Sequence, residues 1–320
     1  MRSIHAAALA CLVAPASGLA VERVRVAYFL EWPTPNLVAK ATGTYAAALG
    51  VPVTWVAFDT GTQMTEAMRA GDIDIAYGHG LAPFVAAIDE GVPLVLAGIA
   101  LEYPANDCVI RDGSGIDPDE PDSFVGRSVA LPVATTADYT FRAMADALGF
   151  DAGAMTVIDR IPSEAAVALL DAEVDLACGF GAVAMAKMRT AGPLLMDDGA
   201  KRAADISAFD VVSATADFAR ESPRLVEAFL DVTAEANATW TGSRDQLAAV
   251  ALESGLTPGA LLGQLDDFSF PTPGEQRDRL LAPDGPVPAA MTLIGEAFAT
   301  DASREAPDYA ATIDPAYLPD

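Results

Sequence analysis

Basic residues are scarce in this chain. Its 320 residues include 19 lysines and arginines against 45 aspartates and glutamates, which gives a formal net charge of −26. A nucleic-acid partner is ruled against, because neutralising phosphates takes clustered lysine and arginine side chains. The same imbalance disfavours docking on an anionic membrane surface. We interpret the acidity as a solvated shell and expect a soluble monomer.

Histidine and cysteine are also rare, with two and three residues. His79 is the only histidine beyond the first 20 residues, so we expect no cysteine–histidine zinc site and no histidine-based triad. The Gly-x-Ser-x-Gly elbow, the phosphate-binding loop and the His-Glu-x-x-His motif are missing. A carboxylate pair acting as acid and base stays open, but no pair stands out. The sequence therefore favours binding without chemistry, with no cofactor and no metal.

No apolar run reaches the length of about 20 residues that a membrane-spanning helix needs. The start of the chain has instead the layout of a secretory signal peptide over residues 1–20. Arg2 precedes an apolar run from Ala6 to Ala14, and small residues follow it. Cleavage after Ala20 fits best, and cleavage after Gly18 is the alternative. We predict an exported, periplasmic protein.

The cysteines leave two alternatives open. Ala8-Leu9-Ala10-Cys11 loosely resembles a lipid-attachment box, which would make the protein a lipoprotein. In an oxidising compartment, Cys108 and Cys178 either form a disulfide or remain two buried thiols.

Strand-like and helix-like segments alternate through the first two thirds of the chain. The predicted strands are Val24–Leu30, Val53–Phe58, Ile73–Tyr77, Ser128–Pro132, Met155–Ile158 and Val174–Cys178. After Ala214 the pattern becomes almost entirely helical. This order predicts the α/β class, with a mostly parallel sheet and helices on both sides.

One internal similarity suggests two lobes of like design. Residues 70–80 are AGDIDIAYGHG and residues 171–181 are DAEVDLACGFG, which aligns Asp74 with Asp175. Each copy follows an amphipathic helix and ends its strand in Gly-x-Gly. Ligands of open α/β sheets bind beyond the carboxyl ends of the strands. Both Gly-x-Gly segments are therefore expected to line opposite walls of one cleft.

Two segments are candidates for anion binding. Gly78-His79-Gly80-Leu81 opens a helix whose free amides suit a single anion, although an ordinary strand-to-helix turn would have the same sequence. Thr135 and Thr136 can cap a second helix while a hydroxyl and the next amides face a ligand. Capping alone is the alternative there.

Other candidates are an aromatic wall and two carboxylates. Trp32 follows the first strand and is either a pocket wall or core, with Glu31 beside it as a ligand contact or a solvated charge. Asp210 lies in an otherwise apolar strand, where a carboxylate is costly to bury unless it is paired. A ligand ammonium would suit it, and a protein donor is the alternative. Asp107 is a weaker second candidate.

Several motifs resemble one known family. They are VRVAYFL, the FDTG turn, MRAGDIDIAYGHGLAP, VGRSVALPVATTADYT and AFDVVSA. From about Val24 to its C-terminus the chain resembles the periplasmic substrate-binding proteins of taurine and aliphatic-sulfonate ABC importers, within the nitrate/sulfonate/taurine-binding group. The resemblance implies a type II periplasmic-binding-protein fold, with two α/β sandwich lobes joined by a two-strand hinge.

The resemblance also implies boundaries and a site. The crossing strands would fall near Leu101–Ala105 and Phe209–Ala214, which gives a first lobe of residues 21–102 and 212–320 and a second of 103–211. The sulfonate would bind Gly80–Leu81 and Thr135–Thr136, and the amine would bind Asp210. The chain departs from the family pattern at His79, at Glu31-Trp32 and at Phe180, all three in the expected pocket.

We therefore predict a binding protein that captures taurine or a similar small aminosulfonate and delivers it to an ABC permease. A receptor for a pyrimidine thiamine precursor is one alternative, with Trp32, Tyr77 and Phe180 as stacking rings. A larger cationic or zwitterionic solute, held by a cation–π contact to Trp32, is another. A third alternative is an exported sensor module, which would bind a ligand and signal to a membrane partner.

An enzyme of the thiamine-precursor type would share the fold. Such enzymes depend on a histidine and a cysteine-rich segment, and the sequence therefore argues against this class.

Overall fold

The computed structural model describes residues 21–299, 303 and 305–320. The predicted signal peptide and the Cys11 alternative lie outside these residues. The fold is α/β, as predicted, and it contains two sheets. No helix in the described ranges is long and apolar enough to cross a membrane.

The strands follow the predicted alternation, with small shifts at their ends. In chain order they are β1 (Val24–Phe29), β2 (Val53–Phe58), β3 (Ile75–Gly80), β4 (Leu94–Tyr103), β5 (Asp107–Ile110), β6 (Ser128–Leu131), β7 (Thr156–Asp159), β8 (Leu176–Gly179) and β9 (Ala208–Thr215). One sheet has the order β2-β1-β3-β9-β4 and the other the order β5-β8-β6-β7. Strands β1, β2 and β3 are parallel, and β9 runs antiparallel to both of its neighbours.

Helices fill the connections and most of the chain after β9. They are α1 (Asn36–Ala41), α2 (Thr44–Leu49), α3 (Gly61–Arg69), α4 (Leu81–Asp89), α5 (Thr136–Leu148), α6 (Pro162–Leu170), α7 (Ala182–Met188), α8 (Asp198–Ala203), α9 (Ala216–Glu221), α10 (Pro223–Ala238), α11 (Arg244–Ser254), α12 (Pro258–Leu265), α13 (Pro273–Glu275) and α14 (Pro286–Phe298).

The chain passes between the sheets at two places. It leaves the first sheet after β4 and enters the second at β5, and it returns between α8 and β9. Each crossing contains a non-glycine residue at positive φ, Ala105 (75°) and Asp205 (54°). The Lys201 ammonium on α8 is fully buried and donates to the Ala105 carbonyl at 3.2 Å and to Asp107 at 2.7 Å. The two crossings are therefore tied together. The lobe boundaries given above remain our proposal.

The internal repeat has the same structural role in both sheets. Asp74 precedes β3 and accepts a hydrogen bond from the Arg25 amide at 2.8 Å, at the start of neighbouring β1. Asp175 precedes β8 and accepts one from the Ser128 amide at 3.0 Å, at the start of neighbouring β6. Each aspartate thus joins the beginnings of two parallel strands. The Gly-x-Gly segments lie at the opposite ends.

A disulfide joins Cys108 to Cys178. The two residues lie directly opposite each other on the antiparallel strands β5 and β8. They are buried in the core of the second sheet together with Phe124, Phe141 and Met144. Of the two states that the sequence left open, the structure contains the disulfide.

Candidate functional site

A small cavity lies between the two sheets, at the carboxyl ends of β1 and β3. Its empty space is about 300 Å³, including the part open to solvent. Residues from both lobes line it: Phe29, Trp32, Gly61, Gly80, Pro83, Tyr103, Asn106, Thr135, Thr136, Phe180 and Asp210. Six of the ten predicted site residues are therefore brought together here, namely Trp32, Gly80, Thr135, Thr136, Phe180 and Asp210.

Asp210 provides a buried carboxylate at one side of this cavity. It lies within β9, is 2% exposed, and accepts a hydrogen bond from the Trp32 indole at 2.8 Å. Burial raises the pKa of Asp210 to about 8, against the opposing effect of hydrogen bonds from Trp32 and Tyr103. Among the described residues, none that lines the cavity is basic. A cation supplied by a ligand would therefore favour the ionised form of Asp210.

Two helix starts provide the opposite polarity. Gly80 precedes the first turn of α4, and Thr135 precedes the first turn of α5. Neither start is capped by a side chain of the described residues. Gly80 has no side chain, and the Thr135 hydroxyl donates instead to the Pro132 carbonyl at 2.6 Å. Uncapped first-turn amides and the positive end of each helix dipole suit an anion. The Leu81 side chain is buried and outside the lining, which leaves its backbone amide as the group available at that position.

Glycine at position 80 allows these two helix starts to approach each other. A Cβ atom there would lie 2.6 Å from the Thr136 hydroxyl oxygen, which is closer than real Cβ atoms come. Gly61, at the start of α3, is constrained similarly, since its Cβ atom would lie 2.5 Å from Pro83. A side chain at either glycine would therefore collide with Thr136 or Pro83, and this side of the cavity requires glycine at both positions.

Aromatic rings form the remaining walls. Phe29 and Phe180 face each other from the two lobes with ring centroids 6.0 Å apart. Trp32 and Tyr103 contact edge to face at 5.4 Å. These rings exclude water from the space beside Asp210, and the low local polarity strengthens any charge pairing made there.

His79 does not line the cavity, contrary to the prediction. It is the fifth residue of β3 and is fully buried, with Nε2 3.1 Å from the Thr65 hydroxyl and Nδ1 2.9 Å from the Ser213 hydroxyl. Burial lowers the pKa of His79 to about 4, so the ring is neutral at neutral pH. Its side chain lies on the face of the sheet that packs against α3 and α4, next to Thr65 and Phe84.

Glu31 and Asp107 also lie outside the cavity lining. Glu31 adopts a left-handed conformation (φ 57°) and accepts a hydrogen bond from the Val183 amide at 2.9 Å, in the first turn of α7 in the other lobe. Asp107 pairs with Lys201 and Arg189, the protein donors that the sequence left as its alternative. In the described part of the chain, no cluster of three acidic, histidine or cysteine side chains could hold a metal ion.

Five lining residues were not predicted: Phe29, Gly61, Pro83, Tyr103 and Asn106. Phe29 and Gly61 have a sequence signal, because Phe29 ends the first strand and Gly61 belongs to the FDTG turn. Tyr103 and Asn106 lie around a crossing between the lobes, where only the three-dimensional path of the chain brings them to the cavity.

Comparison with known proteins agrees with this architecture. The family described as NMT1/THI5 like matches residues 33–242. The taurine-binding periplasmic protein of Escherichia coli (strain K12) is 25% identical over 256 residues, 78% of each chain. The periplasmic aliphatic sulphonate binding protein of Escherichia coli has a similar structure, with a TM-score of 0.66, 19% identity and coverage of 87% of this chain and 92% of that one. The alkanesulfonate-binding protein of Xanthomonas axonopodis pv. citri, solved bound to MOPS, gives 0.68 at 18% identity with the same coverage.

Proposed function

The chain belongs to the NMT1/THI5-like family, and we propose that it captures taurine or a similar small aminosulfonate for an ABC importer. The ligand would bind between the lobes, and the loaded protein would deliver it to a membrane permease. The taurine-binding relative and the aliphatic sulphonate binding protein of Escherichia coli are both described as periplasmic, which supports an exported protein. The acidic composition supports a monomer.

The opposite polarity of the two sides of the cavity carries this proposal. Asp210 offers a carboxylate on one side, and the starts of α4 and α5 offer uncapped amides on the other. Taurine has an ammonium and a sulfonate separated by two carbons, so one small molecule satisfies both. A sulfonate keeps its charge at all ordinary pH values and accepts several hydrogen bonds, which suits a cradle of amides and hydroxyls.

This arrangement discriminates by leaving a buried group unsatisfied when the wrong ligand binds. An alkanesulfonate without an amine would leave Asp210 buried without a cation. An amine without a sulfonate would leave the two helix starts without an anion. Both partial ligands should therefore bind more weakly than taurine, even though each is smaller and fits the space.

Calorimetric titration of the mature protein with taurine, ethanesulfonate and ethanolamine tests the proposal. We expect taurine to bind most tightly, and Asp210→Asn to weaken taurine by about 2–5 kcal/mol, as loss of a charge pair in a closed site does. The same variant should bind ethanesulfonate no worse than the unmodified protein does. Equal taurine affinity of the unmodified protein and the Asp210→Asn variant would show that Asp210 does not contact the ligand.

A second variant tests the part of the cavity that is proposed to bind the sulfonate. Thr136 lines the cavity at the start of α5, and Thr136→Val should weaken both taurine and ethanesulfonate by about tenfold through loss of a hydrogen bond to a charged group. Thr42→Val is the matched control, because Thr42 is exposed and its hydroxyl bonds the Val38 carbonyl at the end of α1. Unchanged sulfonate affinity in the Thr136 variant would contradict the anion cradle.

The aromatic walls favour one alternative, a receptor for a pyrimidine. Trp32 and Phe180 line the cavity and could stack on a ring, whereas Tyr77, the third predicted ring, is buried outside the lining. The uncapped helix starts would then have no anion to bind. Titration with an aminopyrimidine under the same conditions distinguishes a pyrimidine receptor from an aminosulfonate receptor. An exported sensor would bind the same ligand as an importer and differ only in its membrane partner.

A further inference from the structure

Two aromatic side chains act as hydrogen-bond donors to the Asp210 carboxylate. The Trp32 indole donates to it at 2.8 Å, and the Tyr103 hydroxyl also forms a hydrogen bond with it. Trp32 and Tyr103 are 9% and 7% exposed and contact each other edge to face, with ring centroids 5.4 Å apart. The amine subsite, by which we mean Asp210 and these two donors, therefore depends on where two large rings are held.

Regular secondary structure does not hold Trp32. It lies in the connection between β1 and α1, outside any strand or helix. The preceding residue, Glu31, has a left-handed backbone (φ 57°), and its amide donates to the Ser254 carbonyl at the end of α11 at 2.7 Å. The loop therefore rests on the helical region that follows β9. A side chain in such a loop is positioned by the groups that pack against it.

Phe268 packs against both donor rings at once. Its ring centroid lies 4.8 Å from that of Trp32 and 6.0 Å from that of Tyr103. The three rings thus form a closed triangle in which each contacts the other two. Phe268 is partly exposed and lies outside the lining of the ligand cavity. It therefore supports the two donors without contacting a ligand bound beside Asp210.

The backbone on both sides of Phe268 is attached to its neighbours. Ser269 and Glu102 form an antiparallel bridge, in which each amide donates to the other residue's carbonyl at 2.9 Å. Glu102 directly precedes Tyr103, so the bridge fixes the chain beside both rings. The Phe268 amide also donates to the Leu265 carbonyl in the last turn of α12, at 3.3 Å. A ring attached in this way has little freedom to move, which allows it to fix the rings that it contacts.

We propose that Phe268 is a positioning residue for recognition of the ligand amine, acting through Trp32 and Tyr103 on Asp210. This inference rests on the proposed function, because it concerns the carboxylate that is to bind the ammonium. A carboxylate pairs with an ammonium when it is ionised, and donors aimed at it favour the ionised form. Without Phe268 the two donor rings could turn into the space that it leaves. Phe268 thereby favours ligands that carry an amine over ligands that carry an anion alone.

The ionisation of Asp210 in the ligand-free protein reports this role directly. We expect Phe268→Ala to raise the pKa of Asp210 above its value of about 8, by about a tenfold change in the ionisation constant, since displaced donors no longer offset burial. Carbon NMR of the Asp210 carboxyl group measures it, with the signal assigned by its loss in Asp210→Asn. Tyr77 and Tyr103 are the titratable groups that interact with Asp210, and burial raises the pKa of both phenols beyond this range.

Ligand selectivity gives the second measurement. Phe268→Ala should weaken taurine by about tenfold and leave ethanesulfonate unchanged, because only taurine requires an ionised Asp210. A purely structural loss would instead weaken both ligands together. Calorimetric titration of both ligands at neutral pH measures the ratio of their affinities. Phe268→Tyr keeps the ring at this partly exposed position and should restore the ratio and the ionisation of Asp210.

Phe270→Ala is the matched control. Phe270 is also partly exposed and packs against the same cluster, and its ring lies 6.4 Å from that of Phe268. Within the described residues it makes no ring contact with Trp32 or Tyr103, so its loss should leave both measurements unchanged. If circular dichroism shows that Phe268→Ala does not fold, Phe268→Leu replaces it. Leucine keeps most of the apolar volume without a flat ring face and should shift both measurements in the same direction.

A double variant tests the route from Phe268 to Asp210. Trp32→Phe keeps a ring but removes the indole donor. Phe268→Ala should therefore weaken taurine less in the Trp32→Phe protein than in the unmodified protein, as expected for two residues that act together. Equal losses of affinity in the two proteins would overturn the inference.

The remaining outcomes separate this inference from the proposed function. An unchanged ionisation of Asp210 in folded Phe268→Ala, or equal weakening of taurine and ethanesulfonate, would overturn the positioning role and leave the proposed function standing. Failure of the unmodified protein to bind taurine would overturn the proposed function and this inference with it.

Discussion

Asp210 is buried in an apolar strand, and none of the described residues that line the cavity carries a positive charge. The indole of Trp32 and the hydroxyl of Tyr103 stabilise the carboxylate only in part, because burial still raises its pKa to about 8. At neutral pH the ligand-free protein therefore holds Asp210 mainly protonated. An arriving ammonium reverses that preference, which couples recognition of the amine to release of a proton.

The ligand-free protein should lose stability at this residue as the pH rises. The unfolded Asp210 ionises near its ordinary pKa of 3.8, whereas the folded one stays protonated until about pH 8. Between these values the unfolded state binds fewer protons, so the free energy of unfolding falls by a few kcal/mol, as an order-of-magnitude estimate. Asp210→Asn should abolish this decline in thermal unfolding measured across the range.

The comparison is made as the difference between variant and unmodified protein at each pH. His79 contributes in the opposite direction, because its pKa is lowered to about 4 and stability from it falls as the pH drops below its ordinary 6.5. That contribution cancels in the difference. Parallel curves for the two proteins would show that Asp210 is not buried as a neutral acid.

At the scale of single elements, the sequence predicted strands better than side-chain directions. Strands β1 and β2 have the expected positions, and β3 ends at Gly80 where the prediction ended it at Tyr77. The Gly78-His79-Gly80 segment is therefore strand, and a bulge at Gly78 (φ 77°), between Tyr77 and His79, places the His79 side chain in the core. The sequence identified Gly80, Thr135 and Asp210 from local chemistry. Tyr103 and Asn106 could not be found in that way, because the crossing between lobes brings them to the cavity.

The disulfide between β5 and β8 stabilises the second lobe. It closes a loop of 70 residues, and removing a native disulfide typically costs about 2–4 kcal/mol. The double variant Cys108→Ala and Cys178→Ala should lower the free energy of unfolding by this amount in urea titration. Taurine affinity should stay unchanged, since neither cysteine lines the cavity. Equal unfolding curves would assign the bond no role in stability.

At the scale of the whole molecule, the two lobes make direct contacts around the cavity. Gly80 and Thr136 approach from opposite lobes, and the Glu31 carboxylate accepts a hydrogen bond from the Val183 amide across the cleft. Glu31 was predicted to touch the ligand, whereas in the structure it touches α7. The internal similarity between residues 70–80 and 171–181 predicts two lobes, but the way in which the lobes meet depends on such long-range contacts.

Loss of the Glu31 contact should release ligand faster. In Glu31→Ala the closed arrangement loses one hydrogen bond to a charged group, and the dissociation rate of taurine should rise about tenfold with little change in the association rate. Stopped-flow measurement of tryptophan fluorescence, to which Trp32 in the cavity wall contributes, would follow both rates. The control is Glu173→Ala, an exposed glutamate distant from the cleft. A dissociation rate equal to that of the control would show that Glu31 does not hold the lobes together.

The most direct test of the whole account is calorimetric titration of taurine at neutral pH in two buffers that differ in ionisation enthalpy. Because Asp210 has a pKa of about 8 without ligand and faces an ammonium with it, we predict release of about one proton for each taurine bound. Ethanesulfonate in the same protein, and taurine in Asp210→Asn, should release none. Tight taurine binding with no proton release from the unmodified protein would contradict the pairing of the ligand amine with Asp210.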